Sequence, residues 1–144
     1  MAESDRPLVV FITGASSGIG RAAALAFAQQ GAHVIGIARR PDKLEALAAE
    51  IAPLMGDFLP VQADVTNPDS LQAAAQAGLA RFGRIDALIA NAGIGHRGAL
   101  IDADWDALES VMRINMDGVL HTVRAVVPLM QTGGFVVIVS SIVF

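Results

Sequence analysis

Leu8-Val9-Val10-Phe11-Ile12-Thr13-Gly14-Ala15-Ser16-Ser17-Gly18-Ile19-Gly20 is the stretch that decides how this chain folds. Residues 8–12 form an unbroken apolar run, β-branched and aromatic at its end, the pattern of a fully buried strand, and it ends at Thr13-Gly14. From Gly18 to Gln30 the sequence turns Ala-rich, with apolar residues at Ile19, Ala22, Ala23, Leu25, Ala26 and Phe27, and Gly31 then supplies a C-terminal stop. Strand, glycine turn and helix, in that order, open a βαβ unit.

The alternation continues downstream. Residues 32–38 read as a second strand, and Pro41 opens a helix to about residue 55 with Leu44, Leu47, Ala48 and Ile51 on one face. Residues 58–63 read as a third strand. Thr66 to Asp69 has helix-start chemistry, and residues 71–82 read as a helix closed by Gly83. A fourth strand at 85–90 leads into a loop at 91–98. Asp102 is then placed to cap a helix to about Gly118, and another apolar helix follows to about Met130. Gly133-Gly134 turns the chain into a fifth strand at 135–139. Strands alternating with helices imply right-handed crossovers and an α/β fold, a doubly wound parallel sheet of the Rossmann type.

Length and composition fit that reading. The 144 residues are 53% hydrophobic and only 17% charged, which argues for a globular chain with elements buried on both faces. One domain is expected over residues 1–144. A net charge of -4, with no basic run longer than Arg39-Arg40, leaves no electrostatic footprint for nucleic acid or an anionic membrane. Small molecules are the expected partners. The absence of cysteine removes thiol nucleophiles, disulfides and thiolate metal sites together, and fits a cytoplasmic location. No export signal or membrane span is expected, since the apolar stretches are short or broken by Pro128, Gly133 and Gly134.

The turn between first strand and first helix carries the chemistry. Backbone N–H groups around Gly14, Ser16, Ser17, Gly18, Ile19 and Gly20, together with a helix N-terminus, can hold a pyrophosphate. Glycines mark any tight turn, so it is the strand-turn-helix context that raises the nucleotide reading. In such folds a carboxylate about 20 residues further on accepts from a ribose 2′-OH, whereas an Arg binds a 2′-phosphate. Here the second strand ends in Ala38-Arg39-Arg40, with two guanidiniums and no acid. The expected cofactor is therefore NADP(H), ahead of NAD(H).

The spacing Thr-Gly-x-x-x-Gly-x-Gly resembles the short-chain dehydrogenase/reductase family and differs from the Gly-x-Gly-x-x-Gly fingerprint. The resemblance runs along the whole chain. Ala63-Asp64-Val65-Thr66 looks like the family segment that places Asp64 and the Val65 backbone beside the adenine. Asn91-Ala92-Gly93 resembles the family's Asn-Ala-Gly motif, in which Asn91 steadies the sheet and the small residues admit the cofactor. Asn115 matches the Asn that holds a water in the family's proton relay, although a helical Asn can equally be satisfied by backbone. Ser141, the second of a pair, matches the catalytic serine whose hydroxyl orients the substrate carbonyl.

The resemblance implies an NADP(H)-dependent oxidoreductase that interconverts a carbonyl and a secondary alcohol, and a homo-oligomer. The family's acid, a Tyr in a Tyr-x-x-x-Lys pair beyond the serine, has no counterpart, because the chain contains no tyrosine. The Ile142-Val143-Phe144 end also departs from the small residues that often follow the serines. The expectation is a domain incomplete at its C-terminus, truncated after the fifth strand, with an exposed apolar sheet edge. The rival reading is a non-catalytic dinucleotide-binding fragment. His33, His96 and His121 lie scattered, without metal-ligand spacing, and are assigned no chemistry.

Overall fold

In the computed structural model, residues 2–140 are described. Five parallel strands, β1 (Val9–Thr13), β2 (His33–Ala38), β3 (Phe58–Gln62), β4 (Ala87–Ala90) and β5 (Phe135–Ile138), stand in the order β3-β2-β1-β4-β5. Phe11 of β1 lies opposite Ile35 on one side and Leu88 on the other. The helices are α1 (Gly18–Gln29), α2 (Pro41–Ile51), α3 (Pro68–Phe82), α4 (Trp105–Met112) and α5 (Gly118–Val126). This is the Rossmann-type α/β sheet that the alternation of the sequence implies.

Side chains of β1 leave alternately to the two faces, as a strand requires. Val9 and Phe11 join an apolar cluster with Leu71 and Ala74 of α3 and Val126 of α5. Val10 and Ile12 join another with Ala24 and Ala28 of α1 and Leu44 and Leu47 of α2. Each fully buried Val, Leu, Ile or Phe contributes roughly 1.5–3 kcal/mol. The Ala-rich α1 therefore owes its place to packing on the sheet more than to its own helix propensity.

Local chemistry fixes the element ends. Asn67 caps α3, its Oδ1 accepting from the N–H of Asp69 at 3.1 Å and of Ser70 at 3.3 Å, and Pro68 takes the first turn, where no N–H is missed. Gly83 ends the same helix with φ 78°, a left-handed conformation that favours glycine. At the far end of the sheet, buried Asp86 accepts from Val9 N–H at 2.8 Å and from Arg84, whose other amine reaches Glu3.

Three expectations need correction. α2 ends at Ile51 instead of near residue 55, because Pro53 has no N–H to donate to the Ala49 carbonyl. Gly118 does not separate two helices. Trp105 to Val126 is one helical stretch in which α4 passes through a π-helical segment, Arg113–Asp117, into α5. Gly118 keeps helical angles there (φ -61°, ψ -37°), and its missing side chain serves a close approach to Val65 instead. Asp102 caps no helix: it closes a 3-10 turn, Leu100–Asp102, and Asp104 stands at the start of α4 without a side-chain capping bond.

In β5, Phe135 to Ile138 are all exposed. Among the described residues it is an edge strand, paired with β4 alone. Its exposed side chains form the apolar edge that the sequence leads one to expect. β3 is the opposite edge, which explains why Pro60 is accepted within it.

Candidate functional site

From β1 the sheet grows one way to β2 and β3 and the other way to β4 and β5. Loops leaving the carboxyl ends of β1 and β4 therefore diverge, and a crevice opens where ligands bind in open α/β sheets. A cleft of about 210 Å³ lies there. Its walls come from the ends of four strands: Gly14, Ser16 and Ser17 after β1, Ala38 to Arg40 after β2, Ala63 to Val65 after β3, and Ala92 to Ile94 after β4. Ile114 of the π-helical segment completes it.

The floor of the cleft is built from backbone. Thr13, buried at the end of β1, accepts through Oγ1 from the N–H groups of Asn91 and Ala92, each at 3.0 Å. The Asn91 side-chain amide returns to the carbonyls of Thr13 and Gly14, both at 3.3 Å. Gly14 has φ 66°, and a Cβ there would stand 2.9 Å from Ala92 Cα, so only glycine fits where the two loops start side by side before they part. At Gly20 a Cβ would lie 2.2 Å from the Gly14 carbonyl oxygen, so the first turn of α1 is drawn against the loop. The N-terminus of α1 begins after Ser17, whose side chain makes no capping bond, and Ser17 lines the cleft. Its first amides carry the partial positive charge that suits an anion.

Arg39 and Arg40 lie exposed on the second wall, and among the described residues neither enters an ion pair. Asp64 lines the neighbouring wall, after β3. Its Oδ1 accepts from Thr66 N–H at 2.9 Å and Thr66 Oγ1 at 2.8 Å. Burial pushes this carboxyl up, but the two Thr66 bonds and the nearby Arg39 charge outweigh it and hold it below its ordinary value. The cleft thus carries an ionised acid on one wall and two guanidiniums on the next.

The candidate residues divide into four groups. Gly14, Ser16, Ser17, Arg39, Arg40, Asp64, Val65, Ala92 and Gly93 line one cleft. Gly18, Ile19, Gly20 and Asn91 do not line it: Gly20 and Asn91 support the loop from beneath, and Ile19 points outward with 64% exposure. Asn115 is exposed, and its amide pairs with the Ile94 backbone, donating to the Ile94 carbonyl at 2.7 Å and accepting from Ile94 N–H at 2.9 Å. Ser141 lies outside the described residues. Sequence reasoning passed over Thr13 as a strand end, although a lone hydroxyl closing an apolar run was a signal. It also missed Ile94 and Ile114, ordinary apolar residues that nothing in their neighbourhood marks out.

His33 opens β2, His96 belongs to the loop after β4, and His121 lies in α5. His33 Nδ1 accepts from Asp57 N–H at 3.0 Å, and its ring stacks on Phe82. No helix among the described residues is long and apolar enough to cross a membrane.

The sequence pattern of the short chain dehydrogenase family matches residues 8–143. The chain belongs to the short-chain dehydrogenase family. It is 40% identical to the 3-oxoacyl-[acyl-carrier-protein] reductase FabG of Thermotoga maritima, over 94% of this chain and 56% of that protein. Two solved structures are similar. One is an alcohol dehydrogenase of the archaeon Thermococcus sibiricus complexed with 5-hydroxy-NADP, at TM-score 0.87 and 32% identity, covering 92% of this chain and 57% of that one. The other is a carveol dehydrogenase of Mycobacterium avium in complex with NAD, at TM-score 0.87 and 33% identity, covering 93% and 54%. This short-chain dehydrogenase chain spans a little over half the length of these relatives.

Proposed function

We propose that the cleft binds a nicotinamide adenine dinucleotide, NADP(H) ahead of NAD(H), and that the protein interconverts a carbonyl and a secondary alcohol. The observation that carries this reading is the convergence, in one cleft, of a glycine turn at a helix N-terminus with two arginines and no carboxylate at the end of β2. The bound nicotinamide would supply or accept the hydride.

The residues fit that group. Backbone amides of the Gly14 turn and the start of α1 receive the pyrophosphate, and the absent Cβ atoms at Gly14 and Gly20 keep that turn tight. Arg39 and Arg40 take a 2′-phosphate with charge-assisted bonds. Asp64 and the Val65 backbone face the adenine, and Ala92 and Gly93 leave room beside Asn91. Asn115 holds Ile94 and supports the proton relay, while Ser141 orients the carbonyl. The acid that protonates the substrate oxygen belongs to a Tyr-x-x-x-Lys pair that this sequence does not contain. The relatives include one structure with an NADP derivative and one with NAD, so the choice between cofactors rests on Arg39 and Arg40.

The same reading makes the protein cytoplasmic and homo-oligomeric. Exposed Trp105, Met112, Met116 and Leu120, all on the stretch from α4 to α5, offer apolar surface to another copy.

Fluorescence titration of the purified chain with NADPH and with NADH, on a sample of known intact mass, tests the cofactor assignment. Tighter binding of NADPH is expected. Binding of neither nucleotide removes the assignment, and tighter NADH binding reverses the preference.

A further inference from the structure

The segment Ala63-Asp64-Val65 lines the cleft where the chain leaves β3. Ser70, in the first turn of α3, holds the Asp64 backbone: its hydroxyl oxygen accepts from Asp64 N–H at 3.0 Å, and its single proton is shared between the Asp64 and Asn67 carbonyls, each at 2.9 Å. Thr66 binds the Asp64 carboxylate. These bonds are local, and they reach the Val65–Thr66 peptide only at its Thr66 N–H, leaving its carbonyl to a distant partner. The Val65 carbonyl is reached from 56 positions away, by His121 Nδ1 of α5 at 3.2 Å.

A carbonyl oxygen only accepts, so Nδ1 is the nitrogen that carries the proton. α5 comes this close because of Gly118, one turn before His121. A Cβ at Gly118 would stand 2.7 Å from Val65 Cγ2, and Thr122 Oγ1 donates to the Gly118 carbonyl at 2.6 Å. Peptide groups are planar, so the His121 bond to the Val65 carbonyl and the Asp64 bond to the Thr66 N–H hold one plane from its two edges. With the Asp64 carbonyl tied by Ser70 and the Val65 carbonyl tied by His121, the planes on both sides of Val65 are set.

We infer that His121 is a positioning residue for the adenine end of the cleft: its Nδ1–H fixes the Val65 backbone without touching the ligand. The inference rests on the dinucleotide reading above. Asn115 does the corresponding work for Ile94 from the same helical stretch, so one stretch pins two of the loops that line the cleft.

The test compares the wild-type chain with His121→Leu and His121→Asn. Binding of NADPH and of reduced nicotinamide mononucleotide, which lacks the adenosine half, is titrated, and amide hydrogen exchange is followed in the ligand-free protein. His121→Leu should weaken NADPH binding by about threefold to tenfold, the factor one net hydrogen bond represents. It should leave mononucleotide binding unchanged and speed exchange at the Thr66 amide. His121→Asn, whose side-chain amide nitrogen can stand near the Nδ1 position, should restore both. If the Leu variant does not fold, His121→Phe keeps the ring volume and serves as the donor-free variant. Unchanged NADPH affinity, or an equal loss for both ligands, overturns the role. A wild-type chain that binds neither ligand overturns the dinucleotide reading itself and this role with it.

Discussion

Asn91 donates to Thr13 twice: its backbone N–H to Thr13 Oγ1 at 3.0 Å, and its side-chain amide to the Thr13 carbonyl at 3.3 Å. The same hydroxyl oxygen accepts from Ala92 N–H. Thr13→Val keeps the shape of the side chain and deletes the acceptor, leaving two N–H groups at the end of β4 without it. The expected cost is about 1–3 kcal/mol for each buried group left unpaired, as an upper bound here because both are only partly buried. Urea unfolding of Thr13→Val and Thr13→Ser separates the hydroxyl from the methyl. Equal stability of the two variants would contradict the assignment.

The glycines of the turn act by different means, and substitution distinguishes them. At Gly20 an added Cβ meets the Gly14 carbonyl oxygen at 2.2 Å and Asn91 Nδ2 at 2.6 Å, so Gly20→Ala must push α1 away from the loop. At Gly18 a Cβ meets nothing within 4 Å, and only its φ of 55° resists a side chain. Gly18→Ala should therefore cost about 1–2 kcal/mol in strain and keep nucleotide binding measurable. Gly20→Ala should abolish it. NADPH titration of both variants, with circular dichroism to confirm folding, checks the order; a reversed order would remove the steric account.

Arg39 and Arg40 are exposed, so their removal should leave the fold intact. Losing one charge-assisted bond to a phosphate costs about 1.5–3 kcal/mol, or roughly 10- to 150-fold in affinity. Arg39→Ala and Arg40→Ala should each weaken NADPH binding within that range, with little change for NADH. The ratio of the two dissociation constants is the measurement. An equal effect on both nucleotides would place the arginines elsewhere than at a 2′-phosphate.

Much of the fold was legible because its signals are local. The apolar run before Gly14, the Pro41 and Asn67-Pro68 helix starts and the Gly83 stop each act within a few residues. What was not legible depends on partners distant in sequence. Gly118 reads as a helix break, but it sits within the helix because Val65, far earlier in the chain, fills the space its side chain would take. His121 reads as an unassigned histidine until α5 is laid against the turn after β3.

Asp64 gives the fold a pH dependence whose sign follows from its surroundings. Burial alone would raise its carboxyl, but the Thr66 N–H and hydroxyl and the Arg39 charge hold it below its ordinary value. In the unfolded chain an Asp titrates near about 3.9. A group whose pKa is lower when folded stabilises the native state fully above the unfolded value, and the contribution is lost as pH falls through the folded value. Asp64→Asn keeps an oxygen to accept from Thr66 but removes the charge. The stability difference between wild type and Asp64→Asn should hold steady from about pH 7 to about pH 5 and shrink below about pH 4. Added salt should reduce the Arg39 share, because that guanidinium is exposed. Urea unfolding of both proteins across that range measures it, and a difference that stays constant down to the lowest pH at which both fold would show that the Asp64 charge does not stabilise the turn.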